Sequence, residues 1–118
     1  MVASKTIGGV RTDYAEFVAT QEVAVGGITG AVALSFAATR FLAWTLTGNA
    51  TINAGVVFPA GAGYYTLRVV QSGAFSLTWP AEIDFGGQST DITTAGTYVF
   101  SIYFNGTNGY GQMSPRFS

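Results

Sequence analysis

Neither cysteine nor histidine occurs among the 118 residues. Without a thiol or an imidazole the chain builds no Ser-His-Asp or Cys-His relay, no zinc finger, no haem ligation and no iron–sulfur site, so no cofactor and no metal are expected. The lack of cysteine fits a reducing compartment, or an assembly stabilised by contacts rather than disulfides. Charge is nearly as scarce: five basic and six acidic residues, 9% of the chain, leave a formal net charge of -1. No electropositive field exists to draw in a phosphate backbone, and nucleic acid is not expected as a partner.

Stretches free of Lys, Arg, Asp and Glu run from Val23 to Thr39, from Phe41 to Leu67 and from Ile92 to Pro115. Each is broken by Gly, Asn or Thr and none holds about 20 consecutive apolar residues, so a membrane-spanning helix is not expected. Met1 to Val10 carries Lys5 but no apolar core of the kind a secretory signal needs. The reading is a soluble protein made in the cytoplasm without export signals, with no membrane partner.

What the chain does have is β-forming side chains. Val, Ile and Thr together number 32, against five Leu and one Lys. Val32, Leu34 and Phe36 alternate with Ala33, Ser35 and Ala37, as when one strand face is buried. Leu42, Trp44 and Leu46 oppose Phe41, Ala43 and Thr45, a strand apolar on both faces. Leu67 and Val69 oppose Thr66, Arg68 and Val70; Phe75, Leu77 and Trp79 oppose Ser76 and Thr78; Tyr98, Phe100, Ile102 and Phe104 oppose Val99, Ser101 and Tyr103. Gly48-Asn49, Pro59-Ala60-Gly61, Ser72-Gly73, Gly86-Gly87, Ala95-Gly96 and Asn105-Gly106 supply turn chemistry between them, with Ser72-Gly73 and Asn105-Gly106 expected as tight hairpins. The expected fold is all-β, an antiparallel β-sandwich or jelly-roll-like barrel with an extended N-terminal arm. Residues 1–22 form the arm or a first strand and hold five of the eleven charges; residues 23–118 form a single β-sandwich domain.

Few residues suggest chemistry. Glu82 and Asp84 flank Ile83 and would share one face of a strand, the spacing a small glycosidase could use, but the local sequence reads equally as a solvated strand edge. Asp91, among Ser89, Thr90 and Thr93, lacks the carboxylate count of a calcium loop and is expected to stabilise a turn. Asn49-Ala50-Thr51 and Asn105-Gly106-Thr107 match a glycosylation acceptor but read as hairpin residues. The glycine-rich Gly61-Ala62-Gly63 and Gly106 to Gly111 lack the Lys-Ser/Thr partner of a phosphate cradle. Tyr64, Tyr65, Tyr98, Tyr103 and Tyr110, with Trp44 and Trp79, are either a stacking surface for sugars or bases, or core and cap residues. No catalytic residue is assigned and the protein is expected not to be an enzyme.

Eleven charges are few for the surface of so small a domain, since soluble surfaces run about 25 to 35% charged. The excess apolar area is expected to be hidden between identical subunits in an obligate homo-oligomer.

The second half of the chain carries Leu46-Thr47-Gly48-Asn49, then Ala60-Gly61 before Tyr65-Thr66-Leu67-Arg68-Val69-Val70-Gln71, then Leu77-Thr78-Trp79-Pro80-Ala81, Phe85-Gly86-Gly87 and Phe104-Asn105-Gly106-Thr107-Asn108-Gly109-Tyr110-Gly111. In this order, over about Phe41 to Gly111, these motifs resemble a small β module of tailed-bacteriophage virion proteins, found in head decoration and tail fibre components. The chain departs from that pattern at Gly109, where the module often has an aromatic residue. The resemblance implies a catalytically inert, trimeric building block.

Tail fibres usually carry the module inside a much longer chain, so Met1 to Ser118 looks more like a free-standing capsid cement protein located at the virion's capsid surface. Its expected partners are two further copies in a homotrimer and the major capsid protein. Val2, Ile7, Val10, Tyr14 and Phe17 are the candidate capsid-contact residues of the arm, and Leu42, Trp44 and Leu46 the candidates for subunit or core packing. The alternative is a tail fibre or tail-tip receptor-binding protein that holds a cell-surface glycan with exposed tyrosines and loops.

Overall fold

A computed structural model describes residues 22–59 and 61–118. These residues form seven strands and no helix: β1 (Val23–Val32), β2 (Phe41–Ile52), β3 (Gly63–Gln71), β4 (Leu77–Thr78), β5 (Ile83–Asp84), β6 (Gly96–Phe104) and β7 (Gly109–Met113). They make one mixed sheet in the order β1-β2-β3-β6-β7-β5, with β4 joined to the far half of β2.

The all-β class is present, and the strands read at Phe41–Thr47, Thr66–Val70 and Tyr98–Phe104 lie in β2, β3 and β6, but the Val32-Leu34-Phe36 alternation runs past the end of β1 into the β1–β2 connection, the Phe75-Leu77-Trp79 strand is cut to the two-residue β4, and the pairing is not wholly antiparallel. β1, β2 and β3 run parallel to one another, and only the β3-β6-β7 part is antiparallel. The reason lies in the connections. Residues 33–40 and the β2–β3 connection from 53 are too long for hairpins, and at 33–37 and 53–59 they lay Leu34, Phe36 and Phe58 against the sheet's buried face instead of reversing the chain. They also pair with each other: Phe36 N–H donates to Val57 O (2.9 Å) and Val57 N–H to Leu34 O (3.1 Å), a parallel bridge centred on Ser35 and Val57. The first half of the described chain is thus a coil in which each turn satisfies the backbone of the next without a crossover helix.

Two expected turns are not turns. β2 runs straight through Gly48-Asn49, because its far half has a partner of its own: Ala50 and Thr51 pair with Leu77 and Thr78, and Asn49 Oδ1 accepts from Ser76 N–H (3.0 Å). Ser72-Gly73 makes no hairpin, since β3 and β4 both run parallel to β2 and act as one strand interrupted by a looped-out segment at 72–76. Gln71 closes the base of that loop. Its Oε1 accepts from Phe75 N–H (3.1 Å), while its Nε2 donates to Phe75 O (3.1 Å) and to Ile92 O. Asn105-Gly106 does reverse the chain between β6 and β7, with Asn105 N–H bonded to Asn108 O (3.0 Å) and Asn105 Oδ1 accepting from Thr107 and Asn108.

One face of the sheet is buried. Leu42, Trp44 and Leu46 from β2, Tyr65, Leu67 and Val69 from β3, and Tyr98, Phe100 and Ile102 from β6 form it. The covering layer comes from the connecting segments and β4: Phe36 and Phe58 pack on Tyr65, Trp79 and Phe85 on Phe100, and Leu34, Leu77 and Ile92 belong to the same core. At about 1.5–3 kcal/mol for each large side chain fully buried, this interior is the main stabilising term. Leu42, Trp44 and Leu46 therefore lie in the chain's own core. The arm candidates Val2, Ile7, Val10, Tyr14 and Phe17 lie outside the described residues.

Candidate functional site

The alternation that sends Tyr65, Ile102 and the β7 glycines inward sends their neighbours out. Strand register then aligns the outward tyrosines: Tyr64 is paired with Tyr103, Tyr103 with Tyr110, and Tyr110 with Asp84. A row of three phenol rings and a carboxylate so crosses four adjacent strands. Tyr64 is 71% exposed, Tyr103 38% and Tyr110 45%, and the Tyr64 and Tyr103 rings lie 4.9 Å apart at 46°. They border a cleft of about 650 Å³ that also has Phe85, Gln88, Ser101 and Gln112 in its walls.

The cleft's wall is fixed by local chemistry. Asp84 Oδ1 accepts from Gly86 N–H (2.7 Å), which turns the chain directly after β5. Gln88 then clamps β7, donating Nε2–H to Met113 O (2.8 Å) and accepting from Met113 N–H (3.1 Å). Phe85 tucks against β7 because residue 111 is glycine: a Cβ there would stand 2.5 Å from the Phe85 ring. Among the described residues no Lys or Arg lines the cleft, and the one carboxylate in its wall is that of Asp84.

The other candidate residues are placed differently. Tyr65 and Tyr98 are buried, Tyr98 donating its hydroxyl to Thr94 O (2.7 Å) and the Arg40 guanidinium lying 4.9 Å from the Tyr65 ring centre. Trp44 is core and Trp79 half-buried against Phe85 and Phe100. Glu82 and Asp84 do not share a site: Glu82 sits in the turn before β5 and lines a separate depression with Val56, Phe58 and Thr107. Its Oε1 and Oε2 accept from Gly55 and Val56 N–H (2.7 and 2.8 Å), tying down the β2–β3 connection. Asp91 caps its own turn, with Oδ1 accepting from the Thr93 N–H (2.9 Å) and hydroxyl (2.7 Å); these bonds, the backbone one first, hold its carboxyl below the usual range. Among the described residues no three acidic side chains stand close enough to hold a metal ion, and no helix is long and apolar enough to cross a membrane.

At the opposite side of the sheet, β1 pairs only with β2 among the described residues, so its other edge has no described strand partner. Its sequence, VAVGGITGAV, has no charge and no proline, and only Ile28 is buried. Val25 is 50% exposed, with Val23 and Phe41 exposed beside it. Just before β1, Glu22 bridges to Arg68 through two bonds of 2.7 and 2.9 Å, across β2 where the register partner of Arg68 is the small Ala43. Donation from Arg68 holds the Glu22 carboxyl below the ordinary range.

No family model matches the chain, and no curated protein or solved structure matches it either.

Proposed function

We propose that this chain is a non-enzymatic structural protein of a phage virion, a trimeric decoration protein that binds the assembled head through its major capsid protein. The observation that carries the reading is the β1 edge. A ten-residue uncharged strand with exposed valines is what natural sheets avoid leaving in water, usually by placing Lys or Pro on it. Here neither is present, so the edge is the surface two neighbouring copies would cover. Register shifts at Ala24/Gly26 and Ile28/Gly30 interrupt the edge, which favours side-chain packing with short runs of pairing over one continuous intermolecular sheet. The sheet with its covering segments is then the sandwich-like protomer of the phage module, and residues 1–22, joined to the sheet at this same end of β1, serve as the arm that reaches neighbouring capsid subunits.

In this reading the protein works by linkage. A trimer that binds only the assembled shell adds its binding free energy to that state and raises the threshold for rupture, and three arms acting together multiply the effective affinity. Sedimentation of the purified chain at micromolar concentration should show a trimer, shifted to monomer by Val25→Lys but not by Val25→Thr. A wild-type monomer overturns the reading. Antibody labelling of intact particles should decorate the head; label confined to the tail favours the receptor-binding alternative.

A further inference from the structure

We infer that the tyrosine row is a binding site for a neutral oligosaccharide. This does not depend on where in a particle the protein sits. Three observations converge on it. Exposed tyrosines are common singly, but here three stand in register on adjacent strands of a sheet whose other large aromatics are mostly turned inward. Adjacent strands lie about 4.8 Å apart, so the row from Tyr64 to Tyr110 extends about 10 Å, the length of about two sugar rings. The rings are rigidly based, because every one of the three sits in a strand with ladder partners on at least one side, and Gln88 and Asp84 fix β7 and the β5 turn beside them.

The polar groups of the cleft select the class of ligand. Asp84 spends Oδ1 on Gly86, which leaves Oδ2 for a donor, and Ser101 and Gln112 line the same cleft as the tyrosines. A sugar matches both features: its C–H faces lie against the rings and its hydroxyls both donate to a carboxylate and accept from amides and phenols. A nucleic acid would bring phosphates into a cleft with one carboxylate and, among the described residues, no cation. A proline-rich peptide would also lie on aromatic rings, but its proline residues have no N–H to give to Asp84.

The test uses the full chain and a panel of neutral hexasaccharides (β-linked glucose, α-linked glucose and N-acetylglucosamine), an acidic polysaccharide fragment and a proline-rich peptide, each titrated to millimolar concentration by calorimetry. At least one neutral hexasaccharide should bind. Tyr64→Ala and Tyr103→Ala should each weaken it by about tenfold or more, with Tyr64→Phe within about threefold of wild type because the ring remains. Asp84→Asn, which can still cap Gly86, should weaken binding without moving the thermal midpoint. Unchanged midpoints in the tyrosine variants show that they fold. Binding of the peptide or the acidic fragment alone, sugar binding indifferent to the tyrosine variants, or no binding at all overturns the inference.

Discussion

Gln71 is 2% exposed and sits where β3 ends and the chain loops out before β4, so its amide is the hinge pin of that irregularity. It donates to the carbonyls of Phe75 and Ile92 and accepts from Phe75 N–H. Gln71→Glu keeps the shape and replaces the two-proton donor by an acceptor. Ionised, the introduced carboxyl still takes the Phe75 N–H but faces two carbonyl oxygens with no proton between them. Protonated, it can serve one of the two. Burial and the two carbonyls both raise its folded-state pKa above the unfolded value of about 4.3, by about 2 units on a conservative scale. A raised pKa gives stability that is present below about pH 4.3 and lost as pH rises through the folded value. At 1.36 kcal/mol per unit, the variant loses about 2.4 kcal/mol between pH 4 and pH 7, on top of about 1 kcal/mol at every pH for the carbonyl left without a donor. The wild type slopes the other way at its acid end, because the lowered carboxyls of Glu22 and Asp91 make stability fall with falling pH. Urea unfolding of both proteins across about pH 4 to 8, at one protein concentration, reads the difference directly. It should widen with pH; a gap that stays constant refutes this account of Gln71.

Phe100→Ala should cost about 3–5 kcal/mol by the same unfolding assay, since the ring is fully buried between Trp79 and Phe85 and its removal leaves a cavity. Glu22→Gln should cost only about 0.5 kcal/mol, because the bridge to Arg68 is solvent-exposed and screened. The carboxyl's lowered pKa stabilises the fold above the unfolded value and is lost as pH falls, so the variant's acid limb should be flatter than wild type, and raising salt should erase the difference. Gly96→Ala should destabilise by about 1–3 kcal/mol and speed amide exchange at Thr97 and Phe117: the residue has φ +153, and a Cβ would stand 2.8 Å from the Phe117 carbonyl oxygen that receives the Thr97 N–H.

How much of this was legible in the sequence depends on the kind of information required. Which side chains point inward was readable at Leu42-Trp44-Leu46 and Tyr98-Phe100-Ile102, because period two is a property of the strand itself. Strand direction was not, because alternation is identical in parallel and antiparallel pairs, and the segments 33–40 and 53–62 contain no residue that marks a coil rather than a pair of hairpins. Gly48-Asn49 misled for the opposite reason: its local preference is for turns, and a long-range partner, β4 with Ser76, overrides it. The tyrosine row was half legible. Parity puts Tyr64 and Tyr103 opposite their inward neighbours, but only the register of β3, β6 and β7 makes a surface of them, and register is set by chain connections rather than by composition. Glu82 and Asp84, two residues apart, looked like a pair because a strand was assumed to start before Glu82, whereas it starts at Ile83.

The scarcity of charge gains force from where the charges are. All seven ionisable Asp, Glu and Arg residues among those described hold a contact within the chain: Glu22 with Arg68, Arg40 with the Tyr65 ring, Glu82 on the β2–β3 connection, Asp84 and Asp91 on their own turns, and Arg116 on the Ala95 carbonyl. Each lends its charge to local order, and none stands on β1. A protein that kept itself monomeric by charge would place at least one on that exposed strand, since like charges there repel a second copy at little cost to the fold. The seven serve local geometry instead, and among the described residues no charge stands on β1 itself, Glu22 just before it being paired with Arg68. Under the proposed self-association at β1, apolar burial of the exposed valines supplies the attraction, and a lysine at position 25 should oppose it.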